Sequence, residues 1–150
     1  MLLPIIITFL LAFSMLLLKP QKFSKLFKFI CVIPLILFIY FLSFLPRINQ
    51  GIKTVLFKNE WIPSLAISLD FKIDGLSMMF ALMITGIGTL IYLYASEYLR
   101  RDEHIHRFYS YLTIFMAAML GVVLSDNLIT LFVFWELTSI SSFFLIGYNT

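Results

Sequence analysis

Long stretches without a single charged residue recur along this chain, and their lengths limit what it can fold into. Met1–Leu18, Phe29–Pro46 and Leu76–Ser96 carry no charge, and the run from Phe108 to Thr150 is interrupted only by Ser125-Asp126-Asn127 and by Glu136. A helix needs about 20 residues to cross roughly 30 Å of hydrocarbon. The first three runs are therefore one crossing long, and the last is about two. Ser, Asp and Asn favour turns and helix caps, where their side chains bond free backbone groups, and this divides the last run at 125–127. With 61% hydrophobic and 13% charged residues, a 150-residue chain has too little polar surface to cover a water-soluble domain. The expected fold is an all-α membrane protein of five transmembrane helices, near 1–18, 28–46, 76–96, 108–125 and 127–148, forming a single membrane unit. The runs are too long and unbroken for the strands of a membrane barrel.

The first run has neither a basic leader nor a small-x-small cleavage pattern, and Lys19-Pro20 follows it, so it reads as a retained span. Lys and Arg then set the topology. Lys19, Lys22, Lys25 and Lys28 belong to one inner loop (19–27 and its edge), and Arg100, Arg101 and Arg107 to another (97–107). Arg47, Lys53, Lys58 and Lys72 share the longer opposite loop, 47–75, with Glu60, Asp70 and Asp74. Positive residues favour the cytoplasmic side. The N-terminus is therefore expected outside and residue 150 at the cytoplasmic face of a multi-pass plasma-membrane protein. The net charge of +3 is accounted for by topology and lipid contact, and nucleic acid is not an expected partner.

The outer loop has a pattern of its own. Leu65, Ile67, Leu69, Phe71 and Ile73 alternate with Ser64, Ala66, Ser68, Asp70, Lys72 and Asp74, a period of two that marks a strand with one buried face. One strand is not stable alone, so pairing with the segment around Ile52–Phe57 as a short extracellular β-hairpin-like cap is expected, ahead of docking to another protein.

Most other polar or special residues have structural readings. Cys31 stands alone in an apolar run and reads as a small core residue. His104 and His106, two apart, fit no metal spacing and read as solvated loop. Gly86 and Gly88, with Thr85 and Thr89, read as close helix packing. Asp126 reads as the N-cap of the fifth helix. No Gly-rich phosphate loop, nucleophile and base pair, or Cys/His ligand set is present, so conventional enzymology, a bound cofactor and a metal are not expected.

Glu136 is different in kind. It lies in "FWELTSISSFFLIG", nine residues beyond Asn127 and so near the middle of a span, where an acid costs roughly 3 kcal/mol. At 100° per residue Ser139 lies about 60° round the helix from it and Ser142 about 120°, with Thr138 beside Ser142. Such a polar side is expected to face protein or a hydrated cavity. There a carboxylate can take up or release a proton as its partner moves. The plain alternative is a fixed interhelical hydrogen bond or ion pair.

The stretches "FKIDGLSMMFALMITGIGTLIYLYASEYL" and "RFYSYLTIFMAAMLGVVLSDNLITLFVFWELTSISSFFLIGY" resemble the antiporter-like proteins, the family shared by the large A subunit of Mrp-type multisubunit Na+/H+ antiporters and the distal membrane subunits of respiratory complex I. The resemblance covers about Trp61 to Tyr148, with the first two spans compatible. "DGLS" and "SDN…WE" are shared across that family, and the continuation "WELTSISSF" is similar to the Mrp A branch rather than to complex I. The resemblance implies that Glu136 is the family's essential acid on the fifth helix, which faces a lysine on a later broken helix and governs its protonation. It implies a structural role for Asp74 and Gly75 at the entry to the third span, and a bundle with inverted repeats. None of the seven lysines lies within the third to fifth spans. The chain is therefore expected to be the N-terminal portion of a proton-coupled Na+/H+ antiporter subunit that is inactive alone. Its expected partners are the bilayer, H+ and Na+, further helices with the lysine, and other subunits of a hetero-oligomer. A proton-pumping or structural subunit of a complex I type dehydrogenase is the alternative.

Overall fold

The computed structural model describes residues 2–17, 30, 32–46, 54–62, 64, 67–99 and 104–149. Cys31 and most of the basic residues used for topology (Lys19, Lys22, Lys25, Lys28, Arg47, Lys53, Arg100 and Arg101) lie outside the described residues.

Among the described residues, five α-helices and four short strands follow in the order α1 Leu2–Leu17, α2 Ile33–Leu42, β1 Val55–Phe57, β2 Glu60–Ile62, β3 Ile67–Ser68, β4 Phe71–Ile73, α3 Gly75–Tyr98, α4 Ile105–Leu124 and α5 Leu128–Ile146. A 3-10 turn, Gly147–Asn149, ends the series. Of these, α3, α4 and α5 are long and apolar enough to cross a membrane, whereas α1 and α2, with 16 and 10 described residues, are shorter apolar helices. The start of α3 is fixed by a reciprocal cap. The Asp74 carboxylate accepts from the Ser77 backbone N–H at 2.8 Å, and the Ser77 hydroxyl accepts from the Asp74 N–H at 2.8 Å. That satisfies two of the donors a helix leaves open at its start.

Helix α4 is the centre of the bundle, packed against α1, α3 and α5, while α2 packs on α3. Small residues make this possible. Ala117, Ala118 and Gly121 let neighbouring helices approach α4 closely, as small residues do where no hydrophobic force distinguishes helix from lipid. The expected close packing at the α3 glycines is present: a Cβ on Gly86 would meet Phe38 of α2 at 3.4 Å, and one on Gly88 would meet Met116 of α4 at 3.2 Å.

Buried hydroxyls join the helices through backbone carbonyls. Ser110 donates to the Ala12 carbonyl at 2.6 Å, joining α4 to α1. Between α3 and α4 three bonds close into a ring. Tyr109 donates its hydroxyl to the Tyr92 carbonyl at 2.8 Å, Thr113 donates to the Tyr109 carbonyl at 2.6 Å, and the Tyr92 hydroxyl bonds the Thr113 hydroxyl. Because Thr113 has one hydroxyl hydrogen, Tyr92 is the donor in that third bond.

Between α2 and α3 the described residues form two small antiparallel sheets. β1 pairs with β4 in the register Val55↔Ile73, Leu56↔Lys72 and Phe57↔Phe71, and β2 pairs with β3. The alternation read from sequence is real at β4, where Phe71 and Ile73 are fully buried and Lys72 points out. One continuous strand to Ile73 does not form, because the pairing breaks at Asp70, one residue beyond the Leu69 N–H that still donates to the Asn59 carbonyl at 2.8 Å. The Asp70 N–H donates to the Thr130 hydroxyl at 3.1 Å, and its carbonyl accepts from the Asp126 N–H at 2.9 Å. Those bonds replace a sheet ladder with an attachment to the α4–α5 turn.

His106 corrects the loop reading. It sits in the first turn of α4 and is buried, whereas His104, just before the helix, is exposed. The helix starts one turn earlier than the charge pattern suggested.

Candidate functional site around α5

Helix α5 begins at Asn127, whose side-chain oxygen accepts the Thr130 backbone N–H at 2.7 Å. The cap is therefore Asn127 and not Asp126. Asp126 lies beside Lys72 instead: the Lys72 ammonium is 3.7 Å from the Asp126 carboxylate and 3.5 Å from that of Asp74. The other side of Asn127 reaches the small sheets, donating to the Ser68 carbonyl at 2.8 Å and to the Asp70 carboxylate at 3.1 Å. Asp70 also accepts from the Ser68 hydroxyl at 2.6 Å. This bond first, then those from Asn127 and the Asn59 N–H, with the charge of Lys58 beyond them, hold its carboxyl below the usual range. Asp74 is likewise lowered, chiefly by the Ser77 backbone N–H.

Beyond the cap, α5 has one packed side. Thr130, Phe134 and Ser141 are buried, and Leu137 packs at the edge of the core. These positions fall within about 60° of one another at 100° per residue. The Phe134 ring lies 5.7 Å from that of Phe71 in β4 and 6.4 Å from that of Phe9 in α1. It also covers Gly121 of α4: a Cβ there would fall within 2.6 Å of three ring atoms.

Glu136, two residues on, is about 200° round the helix from Phe134 and points away from the packed side. It is exposed midway along α5, among the exposed apolar side chains of Phe132, Trp135, Ile140 and Phe143. Among the described residues no Lys, Arg or His pairs with it. Ser139 is exposed on the same side and donates to the Trp135 carbonyl at 3.3 Å, and Ser142 donates to the Ser139 carbonyl at 2.9 Å. Thr138 lies nearer the packed side and donates to the Phe134 carbonyl at 2.9 Å. The hydroxyls thus bond their own helix rather than the carboxylate. Sequence reasoning passed over three residues that position this helix, namely Thr130, Phe134 and Gly121. Thr130 had a local signal, standing three residues after Asn127 at the place a cap bonds. Among the described residues no cluster of His, Cys, Asp and Glu could hold a metal.

Comparison with known proteins identifies the family. Residues 61–109 match the family described as NADH-Ubiquinone oxidoreductase (complex I), chain 5 N-terminus. The chain is 52% identical over 120 residues to the A1 subunit of the Na(+)/H(+) antiporter of Staphylococcus haemolyticus, and 54% identical over 121 residues to the corresponding A-type subunit of Alkalihalophilus pseudofirmus. Each match covers 80% of this chain and 15% of the relative, so the chain spans about a seventh of the length of those subunits. Among solved structures, 99% of the chain superposes on 16% of a chain in the Mrp complex of a Dietzia species, with a TM-score of 0.76 and 29% identity. It superposes with a TM-score of 0.77 on 29% of a chain in the membrane-bound sulfane sulfur reductase, an archaeal respiratory membrane complex, where 21% identity makes the likeness one of fold. In sequence and in fold, the chain belongs to the antiporter-like membrane family that includes the A-type subunits of Na+/H+ antiporters.

Proposed function

We propose that this chain is part of a proton-coupled monovalent-cation antiporter subunit, in which Glu136 carries a step of the proton path. The observation that carries this reading is the direction of Glu136. A carboxylate midway along an apolar helix, turned from its own bundle and set among exposed aromatic side chains, costs roughly 3 kcal/mol in lipid. A protein partner with a cation removes that cost. The likeness to the A-type subunits of Na(+)/H(+) antiporters supports Na+ and H+ as the cargo and a multisubunit complex as the setting. All five helices cross the plasma membrane in this reading, with the N-terminus outside and residue 150 at the cytoplasmic face. The group that meets Glu136 is a lysine on a further helix. A proton-translocating subunit of a complex I type assembly is the second reading, favoured by the match of residues 61–109.

The test places Glu136→Gln and Glu136→Asp in the assembled complex and follows cation-driven proton movement in everted vesicles. Loss with Gln and partial retention with Asp is the expected result. Normal exchange by a fully assembled Gln variant overturns the reading.

A further inference from the structure

We infer that Gly121 and Phe134 together form a positioning device that sets the direction of Glu136. The inference rests on the proposed role of Glu136 for its functional consequence, but its structural part stands alone. Three contacts meet on the Phe134 ring: the bare backbone of Gly121 in α4, the edge of Phe71 in β4, and Phe9 in α1. Phe71 is itself held, fully buried and bridged through its backbone to Ser125 at the end of α4. The ring is buried and cannot swing out to solvent. Phe134 is consequently a key that fits one rotational setting of α5 about its own axis.

The lever is short. The ring atoms nearest the Gly121 position include Cγ and Cδ1, the root of the side chain rather than its tip. A methyl group at 121 cannot be accommodated by bending the far end of a flexible chain, so the helix itself has to turn or move away. Glu136 follows Phe134 by two residues on the same rigid rod and lies on the opposite side of the axis. With side chains reaching about 5–6 Å from the axis, a turn of about 20° moves the carboxylate by roughly 2 Å. That exceeds the tolerance of a proton-transferring hydrogen bond, for which a misplacement of about 1 Å costs on the order of 100-fold. Gly121 and Phe134 are positioning residues, since neither touches the path of the proton.

The experiment uses the assembled complex in membranes, with native Cys31 changed to Ser. Glu136→Cys supplies a thiol whose alkylation rate reports direction independently of transport. Gly121→Ala is expected to change that rate at least about 5-fold, and Gly121→Ala with Phe134→Leu, which removes the ring the methyl would strike, to return it to within about 2-fold. In the Glu136 background the same pair is expected to lose at least about 10-fold in exchange rate and to regain most of it. An unchanged alkylation rate in assembled Gly121→Ala overturns the device. If Gly121→Ala does not assemble, Phe134→Leu alone decides, because loss of the key loosens α5 and must also alter the rate; an unaltered rate overturns the inference. Normal exchange by Glu136→Gln alongside a shifted alkylation rate would remove the proton role and leave the device standing.

Discussion

The Asn127 amide donates to the Asp70 carboxylate at 3.1 Å while its oxygen caps α5, so one side chain fastens the helix that carries Glu136 to the small sheets. Asn127→Ala removes the cap and the amide bonds to Asp70 and Ser68 at once. A lost cap costs about 0.5–2 kcal/mol, and Asp70 is left with fewer partners. The detergent-solubilised protein is expected to unfold at lower temperature, with Asn127→Asp retaining the cap and losing the amide bond to Asp70. The gap between those two variants measures the cap, and the shortfall of Asn127→Asp from the unaltered protein measures the attachment.

Acid should loosen the same attachment. Hydrogen bonds from Ser68, Asn127 and Asn59 lower the Asp70 carboxyl in the folded protein. A group with a depressed folded pKa contributes stability fully above its unfolded value, near 3.9 for Asp. That contribution disappears as pH falls through the lower folded value. Backbone amide exchange of residues 67–74, corrected for the intrinsic pH dependence of exchange, is expected to rise over that acid window and to stay flat at neutral pH. Asp70→Asn flattens part of the rise, the remainder belonging to Asp74, whose carboxyl is lowered by Ser77.

The three glycines of the helix interfaces should separate by the contact each makes. Gly86→Ala gains an ordinary 3.4 Å contact with Phe38 and is expected to be neutral within about 0.5 kcal/mol. Gly88→Ala meets the flexible thioether of Met116 at 3.2 Å and is expected to cost up to about 1 kcal/mol. Gly121→Ala should be the most damaging of the three. Thermal stability measured on all three in one detergent checks the order, and an equal effect at each position would contradict it.

The ring of bonds between α3 and α4 gives a further test. Tyr92→Phe removes one donor and leaves the Thr113 to Tyr109 bond intact. Thr113→Val removes two bonds of the ring, the one it accepts from Tyr92 and the one it donates to the Tyr109 carbonyl. Hydrogen bonds between helices in membranes average about 0.6 kcal/mol and reach about 1.7. Tyr92→Phe is expected near the lower figure and Thr113→Val near the upper, with a double variant less costly than their sum.

The helices were legible because a period and a length survive in the order of residues. The uncharged run from Leu76 to Ser96 and the helix Gly75–Tyr98 are nearly the same segment. The alternation around Phe71 and Ile73 survived for the same reason, since a two-residue period records which side is buried. Distances between elements leave no such trace. Nothing in Ser125-Asp126-Asn127 tells which residue caps α5, because the answer depends on which side chain the folded turn sets over the first free N–H groups. Gly121 looks like any small residue in α4 until Phe134 lies on it. Ser139 and Ser142 were placed correctly round the helix from Glu136, but their hydrogen bonds went to carbonyls one turn back. An apolar setting gives a hydroxyl no closer acceptor.

The closed circuit of Tyr92, Tyr109 and Thr113 also bears on what the bundle shows to lipid. The hydroxyl hydrogens of Tyr109 and Thr113 end on backbone carbonyls, and all three side chains are fully buried. The seam between α3 and α4 is thereby fastened by polar bonds with no hydroxyl of that circuit turned to the hydrocarbon.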